Sequence, residues 1–115
     1  MNISSIQSTN IELTDAIRSY VEQKVFLLEK LLTDFEASAK LTVEVGKTTQ
    51  HHYKGEVFRA EMNLDIPGEF FRAEEIREDL YEAIDAAKDN LKRQLSDYKD
   101  RLTHQNQHIK RPGKE

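Results

Sequence analysis

Residues 56–73, EVFRAEMNLDIPGEFFRA, decide the fold of this 115-residue chain. Phe58, Ala60, Met62, Leu64 and Ile66 alternate with Arg59, Glu61, Asn63 and Asp65. A period of two sends successive side chains to opposite faces of a pleated strand, so this run predicts a strand with one buried face. On that reading Glu61 and Asp65 are ordinary solvent-facing positions. At Pro67-Gly68 the proline presets φ for the second position of a turn, and the glycine is free to take positive φ after it. Residues 69–73 then return as a short strand.

The same arguments extend outward. Ala39, Leu41, Val43 and Val45 alternate with Lys40, Thr42 and Glu44, which is a second half-buried strand. Residues 46–55, GKTTQHHYKG, are polar with a glycine at each end and read as the hairpin loop between the two. Near the N-terminus, residues 2–8 can open the fold as a short strand through Ile3 and Ile6. Thr14 is a good helix N-cap, and Asp15 suits the positive end of the helix dipole. Ile17, Tyr20, Val21, Val25, Leu28, Leu31 and Leu32 then recur at helical spacing, which predicts one amphipathic helix of about five turns. Arg18, Glu22, Glu29 and Lys30 fall mainly off its apolar stripe.

A last stripe runs through Leu80, Ala83, Ile84, Ala87, Leu91, Leu95, Tyr98 and Leu102 without Gly or Pro. At 1.5 Å per residue this helix is about 37 Å long, more than a small sheet covers, so its C-terminal turns are expected to project. The order β-α-β-β-β-α packs as one α+β domain, a four-stranded sheet with two helices on one face. We expect a body of residues 1–103 and a flexible, basic tail of residues 104–115, which contains Pro112-Gly113.

Charge is divided along the chain. Residues 1–87 carry nine Lys/Arg against seventeen Asp/Glu, and residues 88–115 carry eight against four, so the net charge of −4 is −8 followed by +4. A basic helix end on an acidic body is the footprint of a chain that meets phosphate at one place. On a wheel with Leu80 at zero, Lys88, Lys92 and Lys99 fall at about 80–120°, Arg93 at about 220° and Arg101 at about 300°. The bases therefore form no single tight row, and Asp85, Asp89, Asp97 and Asp100 interleave with them. A solvated face with i,i+4 pairs such as Asp89–Arg93 fits that pattern as well as a phosphate contact does.

Other chemistry finds little footing. The chain has no cysteine, which excludes disulfides and thiolate metal sites. His104 and His108 stand at i,i+4 without a third ligand at a fitting offset, so we expect no metal. His51-His52 lies in the hairpin loop. No glycine-rich phosphate loop follows a strand and no serine sits in an elbow-like turn, so no enzyme, cofactor or small-molecule substrate is expected. The acids Glu74, Glu75, Glu78, Asp79 and Glu82 complement the dipole at the start of the last helix. The longest apolar run, residues 25–28, is too short to span a bilayer, and the N-terminus lacks a secretory pattern, so a cytoplasmic protein is the default expectation.

Several segments taken together resemble a known family. His52-Tyr53-Lys54-Gly55-Glu56-Val57-Phe58-Arg59-Ala60-Glu61, then Ile66-Pro67-Gly68 and Arg72-Ala73, look like the central hairpin of the ribosome hibernation promoting factors, also called ribosome-associated translation inhibitors. Asp79-Leu80-Tyr81-Glu82-Ala83-Ile84-Asp85, Leu91-Lys92-Arg93-Gln94-Leu95 and Tyr98-Lys99 resemble its last helix. Ile11-Glu12-Leu13-Thr14 and Tyr20-Val21-Glu22-Gln23-Lys24 resemble its opening. The resemblance covers roughly residues 2–103, in order and with matching spacing.

The resemblance implies a domain similar in shape to double-stranded-RNA-binding domains. It implies a stress or stationary-phase factor in the decoding channel of the small ribosomal subunit, contacting rRNA and excluding tRNA and mRNA by occlusion. Arg18, Lys24, Lys54, Arg93 and Lys99 sit where that family has basic residues; Lys88, Lys92 and Arg101 join them as candidates on the last helix. Where the family commonly carries lysine this chain has Asn90 and Asp97. The chain looks like the family's short form, monomeric away from the ribosome. The rival expectation is a protein-interaction or homodimerisation module using the sheet face of Lys40, Thr42, Glu44, Arg59 and Glu61.

Overall fold

The computed structural model of the chain describes residues 2–35, 38–49 and 55–110. Lys54, His51 and His52 lie outside the described residues, as do residues 111–115. The elements are β1 (Asn2–Thr9), α1 (Asp15–Phe26), a 3₁₀ segment (Glu29–Phe35), β2 (Lys40–Thr49), β3 (Glu56–Ile66), β4 (Glu69–Arg77) and α2 (Leu80–Lys110). They build one sheet in the order β1-β2-β3-β4. β2, β3 and β4 are antiparallel neighbours, whereas β1 runs parallel to β2. Parallel neighbours need a crossover connection, and α1 with the 3₁₀ segment supplies it. The expected β-α-β-β-β-α order and four-stranded sheet are therefore present.

Local chemistry sets the joints. Thr14 Oγ1 accepts a hydrogen bond from the Ile17 amide at 3.2 Å and starts α1. Asp79 Oδ2 does the same for the Glu82 amide at 3.0 Å and starts α2. Gly68 holds φ at +86° in the turn after Pro67, a backbone state open to glycine at no steric cost. The core lies between the sheet and both helices. Val21 and Leu28 from the crossover, Leu41 and Val45 from β2, Met62 and Leu64 from β3, and Ile84 and Leu91 from α2 are all wholly buried. α2 packs mainly on β3 and β4, and it touches α1 and the 3₁₀ segment along one flank.

The strands run longer than the sequence reading has them: β2 extends to Thr49 through residues 46–49 of the expected loop, and β4 extends to Arg77, so Glu74 and Glu75 stand in a strand and not at the start of the last helix. Three further local expectations change. The first helix ends at Phe26 instead of continuing through Leu32, and the chain tightens into i→i+3 bonds from Leu28 to Val25 and from Leu31 to Leu28. Leu28 and Leu32 stay buried, because a spacing of three and then four residues suits either winding. At the other end, α2 runs past Leu102 to Lys110 and takes in residues 104–110, which the sequence reading assigned to the tail. No Gly or Pro occurs in that stretch, and Pro112 first disfavours helix at the residue before it.

The third change is on the sheet face away from the helices. Glu44 of β2, Glu61 of β3 and Glu74 of β4 stand directly opposite one another in a row across three strands. Glu61 is nearly buried there, although its place in the alternation marked it as solvent-facing. Arg59 bridges the row, with Nη1 3.1 Å from Glu44, Nη2 2.6 Å from Glu61 and Nε paired with Glu74. Arg72 closes the other side through an ion pair with Glu61. Burial works against the Arg59 charge, but hydrogen bonds to Glu74 and Glu44 hold its pKa above the ordinary value. Three like charges in register would repel, and the guanidinium between them offsets part of that penalty.

Candidate nucleic-acid interface

The seam between α1 and α2 gathers half of the basic residues singled out from the sequence. Tyr20 and Lys24 project from one flank of α1 toward Tyr81 and Asp85 of α2. The Tyr20 and Tyr81 rings meet edge to face, with centroids 4.7 Å apart. The Tyr20 hydroxyl donates to the Asp85 carboxylate, 2.8 Å from Oδ1 and 3.0 Å from Oδ2. Lys24 Nζ lies 3.2 Å from Asp85 Oδ1 and 5.2 Å from the Tyr20 ring centroid. The hydrogen bond to Asp85 raises the pKa of Tyr20 and, in the same way, that of Lys24. Lys24 is thus a fully charged lysine already tied to an acid.

Lys88, Lys92 and Lys99 occupy the same flank of α2 by the helical repeat, the flank whose members Tyr81, Asp85 and Lys99 touch α1 or the 3₁₀ segment. They follow one another at about 6 and about 10 Å along the axis, a spacing on the scale of consecutive backbone phosphates. Their states differ. Lys88 has a side chain only 12% exposed and places Nζ 2.5 Å from Asp89 Oδ1. Lys99 donates from Nζ to the main-chain carbonyl of Leu31 at 3.1 Å. Lys92 is exposed and has no partner among the described residues. The expected Asp89–Arg93 pair does not form, since Asp89 is taken by Lys88.

The remaining candidates lie elsewhere. Arg93 is exposed on the crest of α2 and has no partner among the described residues. Arg101 is on the opposite flank, with its guanidinium carbon 5.9 Å from the Tyr98 ring centroid. Arg18 is exposed on α1, but about 120° around the helix from Lys24 and so on the flank away from α2. Asn90 faces β4: its amide donates to Glu75 at 2.8 Å, and its carbonyl accepts from Gln94, which also donates to the Arg72 carbonyl at 2.9 Å. Asn90 is therefore a staple between α2 and β4, and its lack of charge leaves the lysine flank intact. Asp97 is exposed.

Sequence reasoning missed the acids of the seam. Asp85 was counted only as one of several interleaved charges, although the wheel puts it on the lysine flank, one turn from Tyr81. Among the described residues no group of three His, Asp or Glu side chains is placed to hold a metal ion, and no helix is long and apolar enough to cross a membrane. What the seam offers is a line of ammonium groups over two packed helices, suited to binding phosphate oxygens.

Fold and site together define a single-sheet α+β domain with a cationic interhelical face. The chain belongs to the family described as Sigma 54 modulation protein / S30EA ribosomal protein, which matches residues 4–103. It is 37% identical over 107 residues to the ribosome hibernation promotion factor of Deinococcus radiodurans, covering 93% of this chain and 54% of that protein. The factor of the same name from Lactococcus lactis is 34% identical, over 85% of this chain and 50% of its own length. The chain thus spans about half the length of the curated relatives it matches. Among solved structures, the N-terminal domain of Thermus thermophilus Protein Y superposes with a TM-score of 0.67 at 37% identity, covering 85% of this chain and 99% of that one. A ribosomal subunit interface protein from Coxiella burnetii superposes with a TM-score of 0.71, over 87% of this chain and 99% of that one, and at 19% identity it speaks for the fold alone.

Proposed function

We propose that this domain is a ribosome-associated translation inhibitor of the hibernation type, working in the cytoplasm during stress or stationary phase. It docks its interhelical face on rRNA of the small ribosomal subunit, in the decoding channel, and excludes tRNA and mRNA by occupying their path. Membership in the family and the names of the relatives support the ribosomal partner. The single observation of this chain's own that carries the reading is the lysine flank of α2, where Lys92 and Lys99 carry charge that no acid among the described residues cancels. No bond chemistry is required: occlusion follows from the volume of the globule once phosphate contacts hold it. Recognition by shape and backbone, with little reading of bases, suits structured RNA.

The rival use of the sheet face gains nothing from the structure. Glu44, Arg59 and Glu61 on that face already satisfy one another, so they offer a partner few unmatched charges. A salt titration of small-subunit binding tests the proposal. Lysine–phosphate contacts predict a loss of affinity that is linear in log–log form, at about 0.7–0.9 per contact. Binding indifferent to a few-fold rise in salt would contradict it.

A further inference from the structure

Two acids, Asp85 and Asp89, are paired with lysines of the seam. Asp85 holds Lys24 at 3.2 Å, and Asp89 holds Lys88 at 2.5 Å, while Lys92 and Lys99, further along α2, have no acid among the described residues. The seam therefore contains two kinds of lysine, a pre-paired kind and an open kind. We propose that Asp85 and Asp89 are phosphate surrogates: each fixes a lysine in a conformation ready for a backbone phosphate oxygen, and RNA binds by taking the ammonium group over from the carboxylate. This rests on the RNA-binding reading above and adds the residues that tune it.

The exchange has a thermodynamic signature. Lys24 with Asp85, and Lys88 with Asp89, are each net neutral. When the phosphate takes over the ammonium group, the cation released from the RNA is matched by one drawn to the freed carboxylate, so the exchange has no net counterion release. Only the open lysines give a net release of counterions. Pre-pairing also orders two long side chains before binding, which lowers the entropy cost of engaging them. The seam consequently binds with less salt sensitivity than its count of lysines implies.

The test measures binding of the full chain to small ribosomal subunits across a series of potassium concentrations. It compares the parent with Asp89→Asn, Asp85→Asn and the control Asp100→Asn. Asp89 is exposed, so Asp89→Asn leaves the fold untouched, and the amide oxygen of Asp85→Asn still accepts from Tyr20. The inference predicts that the log–log slope steepens by about 0.7–0.9 in Asp89→Asn and in Asp85→Asn, with tighter binding at low salt, while Asp100→Asn keeps the parental slope. Parental slopes in both seam variants, or an equal steepening in Asp100→Asn, would overturn it. A parent that fails to bind small subunits would remove the ribosomal reading itself, a result easily told apart from an unchanged slope.

Discussion

Lys99 reaches back across 68 residues of sequence to donate a hydrogen bond to the main-chain carbonyl of Leu31, 3.1 Å from its Nζ. The carbonyl lies in the 3₁₀ segment, and the contact ties the distal half of α2 to the crossover. Lys99 is thus a structural latch as well as a cation of the seam, whereas Lys92 on the same flank is a cation only. Lys99→Ala should lower unfolding free energy by about 1.5–3 kcal/mol, the range for a hydrogen bond to a charged group, and should also weaken small-subunit binding. Lys92→Ala should weaken binding with an unchanged melting temperature. Thermal denaturation alongside co-sedimentation separates the two.

Arg59 bridges three glutamates that the sheet register places in one row. Arg59→Ala should destabilise the domain by about 2–3 kcal/mol, because nearly buried Glu61 loses a principal partner and faces two like charges. Adding Glu44→Gln to that variant should restore part of the loss, which urea denaturation of the single and double variants would show.

The same row sets an acid limit. Hydrogen bonds from Arg59, and then from Thr9, hold Glu44 below the ordinary carboxylate range. Its folded pKa is depressed, so its contribution is complete above the unfolded value of about 4.3 and is lost as pH falls through the folded one. Stability should decline below about pH 4.3, and Glu44→Gln should show a shallower decline over that window. Denaturation midpoints between pH 3 and 6 test this.

Ile84 is wholly buried under the sheet on the first turns of α2. Ile84→Asp should cost several kcal/mol by burying an unpaired charge and should leave no cooperative thermal transition. A folded Ile84→Asp variant would mean that the described core is wrong at its centre.

Much of this architecture is visible in the chain because short-range periodicity dictates it. The alternation through Phe58 and Ile66, the Pro67-Gly68 turn and the stripe from Leu80 are local, and the strands and helix follow them. The end of α1 was not legible, since Val25, Leu28 and Leu32 stay buried in α-helical or 3₁₀ winding alike. Burial of Glu61 could not be read from alternation either: it depends on cross-strand neighbours Glu44 and Glu74, which only the register supplies. The seam was half legible. The wheel put Lys88, Lys92 and Lys99 on one flank, but that Lys24 meets Asp85, and that Arg18 turns away, depends on how two helices distant in sequence pack.

The central claim is that the globule, held by cations of the α1–α2 seam, blocks the passage that tRNA and message use. The direct measurement is retention of labelled initiator tRNA and mRNA on small ribosomal subunits as this chain is added to saturation, followed by sedimentation. The account predicts that both ligands leave the subunit peak as the chain enters it, and that Lys92→Ala shifts this displacement to higher concentrations. Subunits saturated with the chain that retain both ligands as fully as bare subunits would contradict it.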